Sequence, residues 1–162
     1  MKLPWITISL IGWALIAIYV RVPTSAFYEL RDVYVTDEYA LLEDGKPHRV
    51  MTATRDIKAN FYSDYQVDEL AQLSNGKFVS VRSCRTVNPV RYRVDNDLPE
   101  ITTVDWWTWG RCDSYPPIYG VNYKTGKFKM CTWHTIYFLP ELPFLKKTTE
   151  AVCSNLYTGR AL

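Results

Sequence analysis

The sequence predicts an all-β domain behind one apolar N-terminal segment, and three observations carry that expectation. Short runs rich in Val, Thr, Tyr, Phe and Trp recur between turn residues. The run Asn60–Asp68 alternates strictly, and no stretch after Val20 shows the period of a long helix. About seven strands at this spacing fit an antiparallel sandwich of immunoglobulin-like type, with a jelly roll or small barrel as the alternative. The Cys-Trp-Cys arrangement of antibody domains is missing, because the second predicted strand holds no cysteine. The 162 residues divide into an apolar segment (1–21), a spacer (22–26) and a domain (27–162) long enough to bury its own core.

The apolar segment is the run Leu3–Val20, which carries no charged side chain. At helical rise it covers about 27 Å, near the roughly 30 Å hydrocarbon thickness of a bilayer. It is therefore expected to be one N-terminal transmembrane helix, an uncleaved signal anchor that meets the lipid bilayer through residues 3–20. Thr24-Ser25-Ala26 offers the alternative, a cleavage site near Ala26. Lys2 is opposed by Arg21 and Arg31, so charge alone does not orient the segment.

Phe27–Thr36 reads as the first strand, with Val33 and Val35 on one face. The turn Glu43–Pro47 follows, then a strand His48–Arg55. In Asn60–Asp68, Phe61, Ser63, Tyr65 and Val67 share one face, while Tyr62, Asp64, Gln66 and Asp68 share a wet one. Leu70–Leu73 suits a short helical turn before Asn75-Gly76, a strong hairpin signal leading into Lys77–Cys84. Arg85–Glu100 is long, polar and expected to be irregular. Ile101–Trp107 is a strand, Arg111–Tyr123 a loop around Pro116-Pro117, and Lys127–Leu139 a strand apolar on both faces and hence central. Pro140–Pro143 leads to a last strand, about Lys147–Tyr157.

All four cysteines, Cys84, Cys112, Cys131 and Cys153, lie after the apolar run, and an even number there suggests disulfides in an oxidising compartment. This places the domain outside the cytoplasm, in the periplasm if the cell is bacterial. A hairpin centred near Leu142 and Pro143 sets Cys131 opposite Cys153 or Ser154, favouring Cys131–Cys153 and leaving Cys84–Cys112; the other two connectivities stay open. No Cys-x-x-Cys pair is present to argue for structural zinc.

The residues offer little for catalysis. Ser74-x-x-Lys77 matches an acyl-transfer string, but Asn-Gly between the two makes it a hairpin turn. The two histidines are His48, after a turn proline and expected to be exposed, and His134, inside a strand and read as a hydrogen-bonded core or rim residue. Asp95, Asp97 and Glu100 supply alternate oxygens of the kind Ca²⁺ takes, without the glycine or span of an EF-hand loop; they are read as a solvated loop pairing with Arg85, Arg91 and Arg93, with calcium as the alternative. No other metal site and no cofactor is expected. A net charge of +2 gives no argument for a nucleic-acid partner. The densest aromatic cluster is Trp106, Trp107 and Trp109 with Tyr115, Tyr119 and Tyr123. Adjacent tryptophans on a strand point to opposite faces, so one can pack inward while another stacks on a sugar or anchors a protein. These six residues are the first choice for a binding face, against the reading that all of them pack internally.

Val79-Ser-Val-Arg-Ser-Cys84 with Asp105-Trp-Trp-Thr, then Cys131-Thr-Trp-His and the late Ser154-Asn155, resembles small membrane-anchored β-domain proteins encoded by bacteriophages and prophages, from about Phe27 onward. The resemblance implies a phage-derived envelope protein and brings no catalytic residues with it. The functional expectation is a non-enzymatic, membrane-anchored binding or structural module acting at a host envelope. The alternatives are a carbohydrate- or peptidoglycan-binding module using the aromatics, and an accessory subunit of a larger membrane complex.

Overall fold

The strict alternation after Asn60 becomes the spine of the structure. The strand β3 (Phe61–Gln72) buries every second residue, Phe61, Ser63, Tyr65, Val67, Glu69 and Ala71, and leaves those between them half-buried. The expected face is therefore present and runs on through Ala71. Leu70–Gln72 stays in the strand where a helical turn was expected, because Ala71 continues the apolar period. The chain turns at Ser74–Gly76, where Gly76 adopts φ 81° and the Asn75 side chain accepts the Lys77 N–H at 3.0 Å. Ser74 and Lys77 thus flank a hairpin turn.

The computed structural model describes residues 5–41, 47–94, 101–104, 111–114, 117–137 and 144–159. The described strands form two antiparallel sheets. The smaller has three strands in the order β1 (Tyr28–Leu41), β2 (Pro47–Ile57) and β6 (Ile101–Val104). The larger has eight, centred on β3 and β8 (Lys127–Tyr137), which pair from Tyr62↔Tyr137 to Ala71↔Phe128. On the far side of β3 lie β4 (Phe78–Arg85) and β5 (Val90–Tyr92), with β7 (Arg111–Ser114) beyond β4. On the far side of β8 lie β9 (Lys146–Thr148), β10 (Val152–Cys153) and β11 (Tyr157–Thr158).

This division into three and eight strands replaces the expected seven, for two reasons. Stretches read as irregular contain strands: β5 forms because Tyr92 can stack on Phe61 (centroids 4.9 Å apart), and β7 lies beside β4, to which Cys112 is bonded. The last expected strand is split into three by side chains that take over ladder positions. Thr149 Oγ1 accepts the His134 N–H at 3.0 Å and Ser154 Oγ accepts that of Met130 at 3.0 Å. The break before β11 also turns Asn155 toward the other sheet. Its amide accepts the Val35 N–H at 2.8 Å and donates to the Val35 carbonyl at 3.2 Å, as a neighbouring strand would.

The two sheets bury one core. Val33 and Val35 do share a face, but Tyr28 and Leu30 join them only because a bulge at Asp32, with φ 52°, changes the parity of β1. Met51 and Ala53 of β2 complete that layer, against Val67, Phe128, Met130 and Ile136. A second stitch crosses the same edge as Asn155. Arg49 is buried, donates to Thr158 O at 2.7 Å, pairs with Asp37 at 2.8 Å and lies over the Tyr157 ring, whose hydroxyl donates to buried Glu69 at 3.0 Å.

Ahead of the sheets, α1 (Trp5–Arg21) is 17 residues long, about 25 Å. Among the described residues no helix is long and apolar enough to cross a membrane. The expected spanning helix over Leu3–Val20 is thus replaced, within the described residues, by this shorter one, which stops before Pro23 because proline lacks the N–H to continue it. Residues 22–26 are not a free tether: Val22 N–H bonds back to Ile18 O at 3.2 Å, and Thr24–Ala26 forms a 3₁₀ turn leading into half-buried Phe27.

Disulfides join Cys84 to Cys112 and Cys131 to Cys153, each pair directly opposed across neighbouring strands. The first sits in the core and the second between the outer face of β8 and exposed Cys153. Replacing Cys84 and Cys112 together by alanine is expected to cost about 3–4 kcal/mol, the chain-entropy value for a loop of this separation. Urea unfolding of the double variant against wild type measures it.

Candidate functional site

The residues singled out for a binding face separate in the structure. Trp106, Trp107, Trp109 and Tyr115 lie outside the described residues. Of the other two, Tyr119 is fully exposed, whereas Tyr123 is half-buried, packs on Phe128 (centroids 6.2 Å) and accepts the Ile118 N–H at 3.1 Å. Asp95, Asp97 and Glu100 also lie outside the described residues. Among the described ones, no group of three His, Cys, Asp or Glu is placed to hold a metal ion. His48 falls in β2, paired in register with Ala40.

The wet face of β3 is acidic yet internally satisfied. Asp64 accepts the Tyr137 hydroxyl at 2.6 Å, which pushes that phenol up to about 12. Asp68 accepts Ser83 Oγ at 2.6 Å and Gln66 Nε2 at 3.1 Å. Carboxylates committed to hydroxyl and amide donors in this way hold neighbouring strands in register.

His134 is placed by the alternation of β8, between buried Thr132 and Ile136, and its imidazole is surrounded by rings: Tyr28 at 4.3 Å, Tyr92 at 5.9 Å and Tyr65 at 6.3 Å between centroids. Complete burial, with a smaller contribution from the Arg55 charge, pushes it down to about 3. It is neutral at neutral pH, and its Nδ1 has no hydrogen-bond partner. The same burial holds Tyr65 and Tyr92 up at about 12. This is a packing histidine, wedged where the two sheets meet.

The arrangement that the sequence did not announce is the junction between α1 and the domain. Tyr19 is the one buried residue of α1 and donates its hydroxyl to Leu145 O at 3.5 Å. Lys147, on β9, lies 4.9 Å over the Tyr19 ring and donates from Nζ to Val20 O at 2.9 Å and to Val22 O. An ammonium on the last carbonyls of a helix satisfies acceptors that have no partner within it and opposes the negative end of its dipole. The signal in the sequence was faint: a lysine pair, Lys146-Lys147, opening the last strand, and a Tyr at the end of the apolar run.

Beside this junction lies a cleft of about 390 Å³ between the 3₁₀ turn, the start of β1 and the β9–β10 connection. Pro23, Tyr28 and Leu30 form its apolar wall, and Ser25, Thr149 and Glu150 bring polar groups. Thr132, fully buried with Oγ1 unpartnered, also lines it. Its described lining holds hydroxyls and the carboxylates of Glu29 and Glu150.

His134 yields a pH prediction. Its folded value near 3 lies below the ordinary value near 6.5, so its contribution to stability is complete above pH 6.5 and is lost as pH falls toward 3. The His134→Phe variant is expected to lose about 2 kcal/mol less than wild type between pH 7 and 4.5, at up to about 1.4 kcal/mol per pH unit. Urea midpoints at the two pH values measure the difference.

Set against known proteins, the chain matches no family model, no curated protein and no solved structure.

Proposed function

We propose that this protein is a non-enzymatic, membrane-tethered β-sandwich that presents a binding or structural face outside the cytoplasm. The observation that carries the reading is the surface of α1. Trp5, Ile6, Ile8, Leu10, Ile11, Trp13, Leu15, Ile16, Ile18 and Val20 are all exposed, most of them by more than half. A helix apolar all round belongs in the core of a large protein or in lipid. Moving these side chains out of water is worth on the order of 10–15 kcal/mol at about 1.5 kcal/mol each, more than a single acyl chain supplies. Two disulfides support an oxidising compartment.

The resemblance to phage-encoded envelope proteins supports an origin and leaves the ligand unnamed. Its residues do structural work here: Cys84 and Cys131 are bridged, His134 packs the core, and Ser154 and Asn155 carry hydrogen bonds between strands. In cells, the protein is expected in the membrane fraction, resistant to alkaline carbonate, with its thiols reactive to maleimide only after reduction. Leu10→Glu with Trp13→Glu moves it to the soluble fraction. Wild-type protein released by carbonate, or free thiols before reduction, overturns the reading.

Glycan binding is a second reading, favoured by one observation: the Tyr119 ring is wholly exposed in a loop. A ring presented in this way can stack on a sugar face. Peptidoglycan pull-down is then expected to retain wild type and to lose about tenfold in affinity with Tyr119→Ala; absence of wild-type binding removes this reading.

A further inference from the structure

We infer that the domain makes a second contact with the membrane through the start of β9, where Phe144 and Lys146 sit at the lipid headgroups beside the end of α1. This rests on the reading of α1 as lipid-embedded. The helix end and β9 are locked together by Lys147 on Val20 O and Val22 O and by Tyr19 on Leu145 O. On that reading exposed Ile18 and Val20 lie in the apolar phase, and exposed Arg21 lies in water or among headgroups. The boundary of the bilayer therefore passes close to Val20–Arg21.

Leu145 touches Tyr19 at that level, and Phe144 is one residue away, about 3.8 Å along the chain. Phe144 is 72% exposed, an aromatic side chain left in solvent at the height where α1 leaves it. Lys146 is exposed close to it, and exposed Arg21 lies between the two carbonyls, of Val20 and Val22, that Lys147 holds. The nearest described carboxylate along this strand, Glu150, lies four residues from Lys146, about 13 Å away in an extended chain. An exposed lysine two residues from an exposed aromatic ring, with Arg21 at the end of the neighbouring helix, suits a surface of anionic headgroups over hydrocarbon. Lipid is the occupant because the patch is continuous with the apolar surface of α1.

The test uses the full chain in vesicles, with a photoreactive phenylalanine derivative placed at position 13, 144 or 156 in turn. Position 13 reports on α1. Leu156, half exposed, lies next to Tyr157, which pairs with Phe128 at the opposite end of β8 from Lys146, and serves as the control far from the junction. Lipid adducts are expected at 13 and 144, with 156 at background. Adducts at 13 with 144 no higher than 156 overturn the second contact and leave the tether standing. No adduct at 13 overturns the tether and the inference together, and equal adducts at all three positions overturn the localised contact. In phosphatidylglycerol-containing vesicles, Lys146→Glu is expected to lower the yield at 144 about fivefold or more while leaving that at 13 unchanged. An unchanged yield at 144 in that variant overturns the headgroup contact.

Discussion

The pairing of β3 with β8 is the constraint on which the rest of the structure depends. Ten consecutive residue pairs, from Tyr62↔Tyr137 to Ala71↔Phe128, leave a single register in which both strands bury their apolar faces. A slip of one residue would carry Phe61, Tyr65 and Val67 to the wet side and bring Asp64 and Asp68 into the core, so the alternative registers are strongly disfavoured. Once this register is set, the outer edge of β8 is fixed as well. That edge carries Cys131, opposite Cys153, and the backbone N–H groups of Met130 and His134, which donate to the hydroxyls of Ser154 and Thr149.

Along that edge the ladder is continued by side chains as well as by backbone. A continuous eleven-residue strand from Lys147 to Tyr157 would saturate β8 and leave the edge of β1 open. Breaking it at Thr149 and Ser154 keeps β8 satisfied through hydroxyls and frees Asn155 to pair with both backbone groups of Val35. An open strand edge is a template for pairing with another chain, and a side-chain amide blocks it at one residue. Arg49 makes the second closure, on Thr158, and its buried guanidinium is tolerated because it has carbonyl, carboxylate and ring partners. The smaller sheet is thus tied to the larger at the edge as well as through the core.

These two levels of organisation differ in how far the sequence discloses them. The β3 face, the Asn75-Gly76 turn and the central place of β8 follow from periods and residue types within a few positions, and the structure has them. The Cys131–Cys153 opposition needed only a hairpin of counted length. By contrast, the bulge at Asp32 depends on which side of β1 meets a core assembled elsewhere. The strands β5 and β7 are three and four residues long, too short for a period, and owe their place to Tyr92 packing on Phe61 and to Cys112 bonded to Cys84. Asn155 reaching Val35 and Lys147 reaching Val20 span 120 and 127 positions, where no local pattern can signal a contact. On the candidate site, the core place of His134 was legible, its Nδ1 without the hydrogen bond expected of it, whereas the junction with α1 was not.

That junction changes what the apolar segment means. A helix joined by a free spacer would leave the domain to tumble above a membrane, and any face of it could meet a partner. Here Lys147 caps the helix, Tyr19 is buried against Leu145, and Val22 to Ala26 is wound into turns. Each bond at such a boundary is modest, about 1 kcal/mol or somewhat more with a charged donor, but several acting on one short segment restrict it together. Under the proposed tether, a helix end held in this way would set the tilt of β8 and β9 relative to the membrane surface. Orientation would then be built into the fold, with the β9 end of β8 toward the membrane and the end that pairs Phe128 with Tyr157 away from it. On that proposal a partner beyond the membrane would meet the far end first, where the loop carrying exposed Tyr119 returns through Tyr123 to Phe128.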